Sequence, residues 1–188
     1  ENPLKDYRLG KTTLSTLKND EGTELWYRMI KPVDFDSTKK YPAIIYVYGG
    51  PHAQLITDSW LAGAGIYLNY LAQQGYVVFT LDNRGSANRG FDFESAIHRQ
   101  CGTVETEDQM LGYSFLISNA FVDQTRIGVD GWSYGGFMTI NMLLENPGKF
   151  KEAVAGGPVC DWKYYEIMYG ERYMDTLNQT PMAIKRPA

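Results

Sequence analysis

The sequence predicts an α/β fold: a mostly parallel β-sheet covered by helices on both faces. Three observations carry this. Nearly continuous apolar runs at 43–47, 76–81 and 126–129 read as strands buried on both faces. Helix-length segments at 60–74, 105–119 and 137–144 separate or follow them. Each run leads into a glycine-bearing loop, at Gly49-Gly50, Gly85 and Gly131. Strands alternating with helices of this length imply right-handed crossovers. At 188 residues, 44% hydrophobic and 21% charged, the chain has enough material for one domain with a sizeable core and too little for two large ones.

The elements follow in order. Thr12–Lys18 and Leu25–Lys31 are β-prone and joined by Asn19-Asp20-Glu21-Gly22, which predicts a hairpin. Residues 1–40 are therefore a lead-in, this hairpin and a polar loop from Pro32, and residues 41–188 hold the α/β unit. Tyr41–Tyr48 is the first buried strand, ending in Gly49-Gly50-Pro51. A helix over Trp60–Gln74 stops at Gly75, as glycine after a helix C-terminus does. Tyr76–Leu81 runs into Asp82-Asn83-Arg84-Gly85-Ser86. Glu105–Asn119 is helical, with Glu105, Glu107 and Asp108 placed to favour its dipole. After the strand at Arg126–Val129 come a helix over Phe137–Leu144, a short strand at Lys151–Ala155 and a helix over Asp161–Tyr173.

Composition excludes several classes. A net charge of -4 without a Lys/Arg cluster argues against nucleic acid as a partner. No run reaches the roughly 18 apolar residues of a membrane span, and Glu1-Asn2-Pro3-Leu4-Lys5 does not resemble a signal peptide. Cys101 and Cys160 show neither metal nor redox spacing and are expected to be buried small hydrophobes. No metal and no cofactor is expected.

Gly131-Trp132-Ser133-Tyr134-Gly135-Gly136 fits the G-x-S-x-G nucleophile elbow, in which a serine sits on a tight strand-to-helix turn above a sheet. Small flanking residues let the two backbones approach around a strained turn. An ordinary glycine-rich turn would share the short pattern, and what distinguishes the two is the strand before it and the helix after it. Parallel sheets place active sites at strand carboxyl ends. Two further loops lie at such ends, Tyr48-Gly49-Gly50-Pro51-His52 and Asp82-Asn83-Arg84-Gly85-Ser86.

Tyr46-Val47-Tyr48-Gly49-Gly50-Pro51, Asp82-x-Arg84-Gly85-Ser86, the elbow, and Trp162-x-Tyr164-Tyr165-x-x-x-Tyr169-x-Glu171-Arg172-Tyr173 together resemble the catalytic domain of the prolyl oligopeptidase family of serine peptidases. The likeness is to its dipeptidyl peptidase IV branch, bacterial prolyl tripeptidyl peptidases included, and runs from near residue 1 to about residue 175. It implies the α/β-hydrolase fold, no cofactor, and hydrolysis after proline near the N-terminus of oligopeptides. Ser133 then matches the nucleophile, the backbone N–H of Tyr134 one oxyanion donor and the Tyr48 hydroxyl a second. Without the resemblance Tyr48 is one more core aromatic. Trp162, Tyr165 and Tyr169 stand at i, i+3 and i+7 and would share one helical face, a pattern that core packing also gives. In the family, Tyr165 and Tyr169 match tyrosines lining a proline pocket, and a flat aromatic box suits a rigid pyrrolidine ring. Arg84 could equally anchor its loop, and Glu171 and Arg172 read as exposed helix charges.

The departures matter too. An α/β-hydrolase carries its acid and then its histidine after the serine, yet the only histidines, His52 and His98, precede Ser133. His52 reads as a loop histidine and His98 as a polar-stretch residue, while Asp161 and Asp175 come too early for the triad acid. The expectation is a fold truncated after the strand and helix that follow the elbow, lacking the triad Asp and His and inactive alone or nearly so. The tail Ala183–Ala188 departs from the family pattern. The family's large β-propeller is not represented in residues 1–40. Relatives act in the periplasm, outside the cell or on its surface and commonly form homodimers, so the resemblance implies such a parent. Two other readings remain, an esterase or acylaminoacyl peptidase of the same fold and a non-catalytic binding module.

Overall fold

The computed structural model of the protein describes residues 4–5 and 7–175, so the tail Ala183–Ala188 lies outside the described residues. Its strands are β1 (Thr12–Lys18), β2 (Glu24–Ile30), β3 (Tyr41–Tyr46), β4 (Val77–Leu81), β5 (Val122–Trp132) and β6 (Glu152–Gly156), in the sheet order β1-β2-β4-β3-β5-β6. The helices are α1 (Ile66–Gln73), α2 (Phe91–Ser95), α3 (Thr103–Ser118), α4 (Tyr134–Glu145) and α5 (Ile167–Met174). The predicted hairpin forms, with Lys18 opposite Glu24, and β2 joins it antiparallel to β4. The pairs β3–β4, β3–β5 and β5–β6 are all parallel. Their carboxyl ends therefore share one edge, where the three glycine-bearing loops leave the sheet.

Strand alternation builds two cores. Leu25, Tyr27 and Met29 of β2, Ala43 and Ile45 of β3, and Val77, Phe79 and Leu81 of β4 face α3 and α4, packing with Tyr113, Leu116, Met138 and Met142. Ile30 and Val78 face the other way, under Leu68, Leu71 and Ala72 of α1. Helices thus cover both faces, as the apolar β4 run required, and each fully buried side chain of this size contributes about 1.5–3 kcal/mol. The α1 face is only partly covered: α1 lies against β4 and β2. Over β3, β5 and β6 a groove of about 400 Å³ remains, lined by residues that include Ile44, Tyr67, Asp130 and Val154.

Four expectations are corrected. The segment Trp60–Gln74 is not one helix: a 3-10 turn at Trp60–Gly63 has Leu61 and Ala62 in left-handed backbone (φ 57 and 54), and α1 starts only at Ile66. Gly63 and Gly65 weaken the helix there, and the buried guanidinium of Arg28 holds the segment by donating to the carbonyls of Leu55 (2.8 Å) and Ala62 (2.7 Å). Burial lowers the pKa of Arg28 to about 10. The segment Asp161–Tyr173 also divides, into a 3-10 turn at Trp162–Tyr164, an extended Tyr165 and α5. The Glu166 carboxylate caps α5 by accepting from the N–H groups of Met168 (2.8 Å) and Tyr169 (2.9 Å). The expected Arg126–Val129 strand is the centre of a longer β5. Cys160 is exposed rather than buried, Cys101 is partly buried, and both are free thiols.

Candidate active site

Between β5, ending at Trp132, and α4, starting at Tyr134, the chain turns on one residue. Ser133 has φ 60 and ψ -116, a backbone region that costs on the order of 1–3 kcal/mol for a residue with a side chain. Its N–H donates to the carbonyl of Gly156 (2.8 Å), and its carbonyl accepts from the N–H of Phe137 (3.1 Å). The glycines make room for this. A Cβ at Gly131 would lie 2.2 Å from the Gly135 carbonyl oxygen, one at Gly135 2.2 Å from that of Val47, and one at Gly136 2.6 Å from that of Gly156. The first turn of α4 therefore rests directly on the ends of β3 and β6. First-turn N–H groups, that of Tyr134 among them, have no intrahelical acceptor and carry the positive end of the helix dipole.

Tyr48 leaves β3 on this same edge. Its ring lies over Gly50, where a Cβ would be 2.6 Å from Tyr48 Cε1, and its centroid is 6.1 Å from that of Tyr134. Burial raises the pKa of its phenol, with Tyr165 and Tyr173 adding to the shift, so it is a neutral donor at ordinary pH. The neighbouring loop is tied down by Asn83, whose Nδ2 donates to the Gly49 carbonyl (3.1 Å). Gln109 Nε2 donates in turn to Asn83 Oδ1 (3.0 Å). Arg84 anchors its loop, donating to buried Asp108 from its backbone N–H (2.8 Å), Nε (3.0 Å) and Nη2 (2.9 Å).

Beside the elbow stands an aromatic cluster. Trp162 packs on Tyr134 (5.6 Å between centroids) and Phe137 (5.2 Å). Tyr169 lies parallel to Trp162 (5.9 Å, 2° between planes), and Tyr165 meets both edge-on at 5.8 and 5.3 Å. The three residues come together although no single helix carries them. Ring contacts thus link Tyr48, Tyr134, Trp162, Tyr165 and Tyr169, the first of them 6.1 Å from the second. Burial raises the Tyr169 phenol far above its ordinary value.

Both histidines lie against carboxylates. His52 Nδ1 is 2.9 Å from Glu94, and His98 Nε2 is 3.3 Å from Asp175. Glu105 stands in the first turn of α3 as expected and accepts from the Gly102 N–H (2.8 Å), but it and Asp108 are both buried, Asp108 under Arg84 and Glu105 under the Tyr134 hydroxyl (2.6 Å). No group of three or more potential metal ligands occurs among the described residues, and no helix among them is long and apolar enough to cross a membrane.

The sequence model of the prolyl oligopeptidase family matches residues 65–185, a range that contains the elbow and the aromatic cluster. The chain belongs to the prolyl oligopeptidase family. Among curated relatives, mouse dipeptidyl peptidase 8 is 39% identical over 92% of this chain and 19% of its own length. Human prolyl endopeptidase FAP is 41% identical over 93% of this chain and 22% of its own length. Among solved structures, a Bacteroides ovatus protein assigned as a dipeptidyl aminopeptidase IV superposes with TM-score 0.94 at 53% identity, covering 98% of this chain and 26% of that one. Porphyromonas gingivalis dipeptidyl peptidase 4 superposes with TM-score 0.89 at 35% identity, covering 97% and 26%. The chain thus spans about a fifth of the curated relatives and a quarter of these structures, and it has the α/β-hydrolase fold of this peptidase family.

Proposed function

We propose that these residues are the nucleophile-bearing part of a serine exopeptidase of the dipeptidyl peptidase IV type, cleaving after proline near the N-terminus of oligopeptides. The observation that carries this is the contact between elbow and aromatic cluster: Tyr134, next to Ser133, packs at 5.6 Å on Trp162, the centre of the box. A proline side chain seated against Tyr165 and Tyr169 would bring the carbonyl that follows it to the elbow. Ser133 Oγ attacks that carbonyl carbon while a general base takes the hydroxyl proton. The Tyr134 N–H and the Tyr48 hydroxyl hold the oxyanion. Collapse expels the amine, which takes up the proton, and water then releases the acyl group. His52 and His98 both precede Ser133, whereas this fold carries its base after the nucleophile, so the base is assigned to neither, and residues 1–188 alone are expected to turn over little. Curated relatives named dipeptidyl peptidase and prolyl endopeptidase favour this over an esterase or a binding module.

The test is release of chromophore from an Xaa-Pro substrate by the complete protein and by residues 1–188. The complete protein should be active and lose activity with Ser133→Ala. Robust turnover by residues 1–188, quenched by Ser133→Ala, would overturn the assignment of a base outside them. A complete protein that ignores proline at the cleavage site would overturn the specificity.

A further inference from the structure

Tyr134 joins two parts of the molecule. Its backbone follows Ser133, and its side chain runs into the core, 2% exposed. There its hydroxyl donates to Glu105 Oε1 at 2.6 Å, while Glu105 Oε2 accepts from the N–H of Gly102 at 2.8 Å. Glu105 is 0% exposed, and each oxygen of its carboxylate holds a different element, α4 at its first residue and α3 at its start. The junction is fastened again by Asn141 Nδ2, which donates to the Gly102 carbonyl (2.6 Å) and Thr106 Oγ1 (2.9 Å). Phe137 closes it: a Cβ on Gly102 would lie 2.7 Å from Phe137 Cζ.

Simple packing does not account for an acid here. Taking a carboxylate out of water costs several kcal/mol, and apolar residues of similar volume usually serve stability as well or better. A short hydrogen bond to a fixed carboxyl oxygen does what they cannot, which is to hold a phenol at one position. We propose that Glu105 is a positioning residue for the oxyanion side of the elbow: it grips the Tyr134 side chain and so fixes the peptide whose N–H lies beside Ser133. This rests on the reading of Tyr134 as an oxyanion donor. Tyr134 is 2% exposed and its ring is packed on Tyr48, Phe137 and Trp162, so the ring has little room to rotate alone and a shift of the phenol is passed to its backbone. A displacement of about 1 Å at a reacting centre costs on the order of 100-fold in rate. Glu105 touches no substrate and acts only through Tyr134.

The test uses the complete peptidase, with turnover normalised to sites titrated by a fluorophosphonate. Glu105→Gln keeps the shape but has one acceptor oxygen for two donors. It is expected to lower kcat per titrated site about 10- to 100-fold while KM for an Xaa-Pro substrate stays within about 2-fold, because Tyr165 and Tyr169 pack on Trp162 and on each other and keep those contacts when the Tyr134 hydroxyl loses its partner. Tyr134→Phe, which removes a single hydroxyl, should give the same split, and the double variant should lose no more than either single one. A merely structural Glu105 would lower the number of titratable sites or the Tm and leave kcat per site unchanged, and that result overturns the proposal. Should Glu105→Gln fail to fold, the kcat and KM of Tyr134→Phe decide by the same criteria. If the wild type labels at Ser133 but ignores Xaa-Pro substrates, the specificity reading fails alone, and the labelling rates of the variants decide the role of Glu105. A wild type that neither turns over nor labels overturns both.

Discussion

Substituting Gly135 by alanine probes how the elbow is held against the loop that carries Tyr48. An ideal Cβ there lies 2.2 Å from the Val47 carbonyl oxygen and 3.1 Å from Tyr48 Cα. Carbon–oxygen approaches in proteins are about 3.3 Å at the closest, so the added carbon overlaps by about 1 Å. Both obstructing atoms are backbone, and no rotamer relieves them: β3 and α4 have to move apart. Overpacking of this kind costs about 1–3 kcal/mol, and the gain in helix propensity from glycine to alanine returns at most about 1 kcal/mol. The expected net loss is about 1–2 kcal/mol, read as a lower urea midpoint. Because the separation falls between Tyr48 and Ser133, kcat should also drop by about 100-fold. Gly170, in α5, is the stability control: nothing lies within 4 Å of its ideal Cβ, so Gly170→Ala should raise stability by up to about 1 kcal/mol. A Gly135→Ala protein that matches wild type in midpoint and turnover would refute the close-approach argument.

Tyr48→Phe keeps the ring over Gly50 and removes one hydroxyl. It should lower kcat about 100- to 1000-fold with little change in KM, and a loss of only a few-fold in steady-state assays would mean that the second oxyanion donor lies elsewhere. Arg84→Ala takes the guanidinium from the Asp108 carboxylate, whose side chain is 1% exposed, and leaves it the N–H of residue 84; a loss of about 3 kcal/mol in urea unfolding is expected, and an unchanged midpoint would show the pair to be idle. For Glu105 the effect is in pH. Burial raises its carboxyl from the ordinary 4.5 to about 7, against the pull of the Tyr134 and Gly102 donors. The folded state thus binds this proton more tightly than the unfolded chain. The resulting stability, on the order of 3 kcal/mol, is fully present below about pH 4.5 and is lost as the pH rises through about 7. Glu105→Gln should flatten the fall between those values, and equal slopes for variant and wild type would contradict the assignment.

What was legible in the sequence was set by local chemistry. The one-residue turn at Ser133 follows from glycines at 131, 135 and 136 whose missing Cβ atoms admit neighbouring backbone. The wholly buried β4 follows from an unbroken apolar run, and the hairpin from a turn rich in Asp and Gly. Choices made by distant partners were not legible. The helix expected from Trp60 fails because Arg28, 34 residues before Ala62, takes that carbonyl. Trp162, Tyr165 and Tyr169 do not share the helical face that their spacing predicts, because Tyr165 and Glu166 interrupt it. They meet by stacking instead. Glu105 reads as a first-turn acid and is one, whereas its second partner, Tyr134, lies 29 residues further on. The aromatic cluster also recruits Phe137, which the sequence offered only as the start of a helix.

The central claim is that Ser133 is a nucleophile primed by its elbow. Its most direct test is to treat the complete protein with a fluorophosphonate and locate the adduct by peptide mass spectrometry. The account predicts one adduct, on Ser133 in the segment 131–136, abolished by Ser133→Ala. An adduct on another serine, or equal labelling of the Ser133→Ala protein, would contradict it.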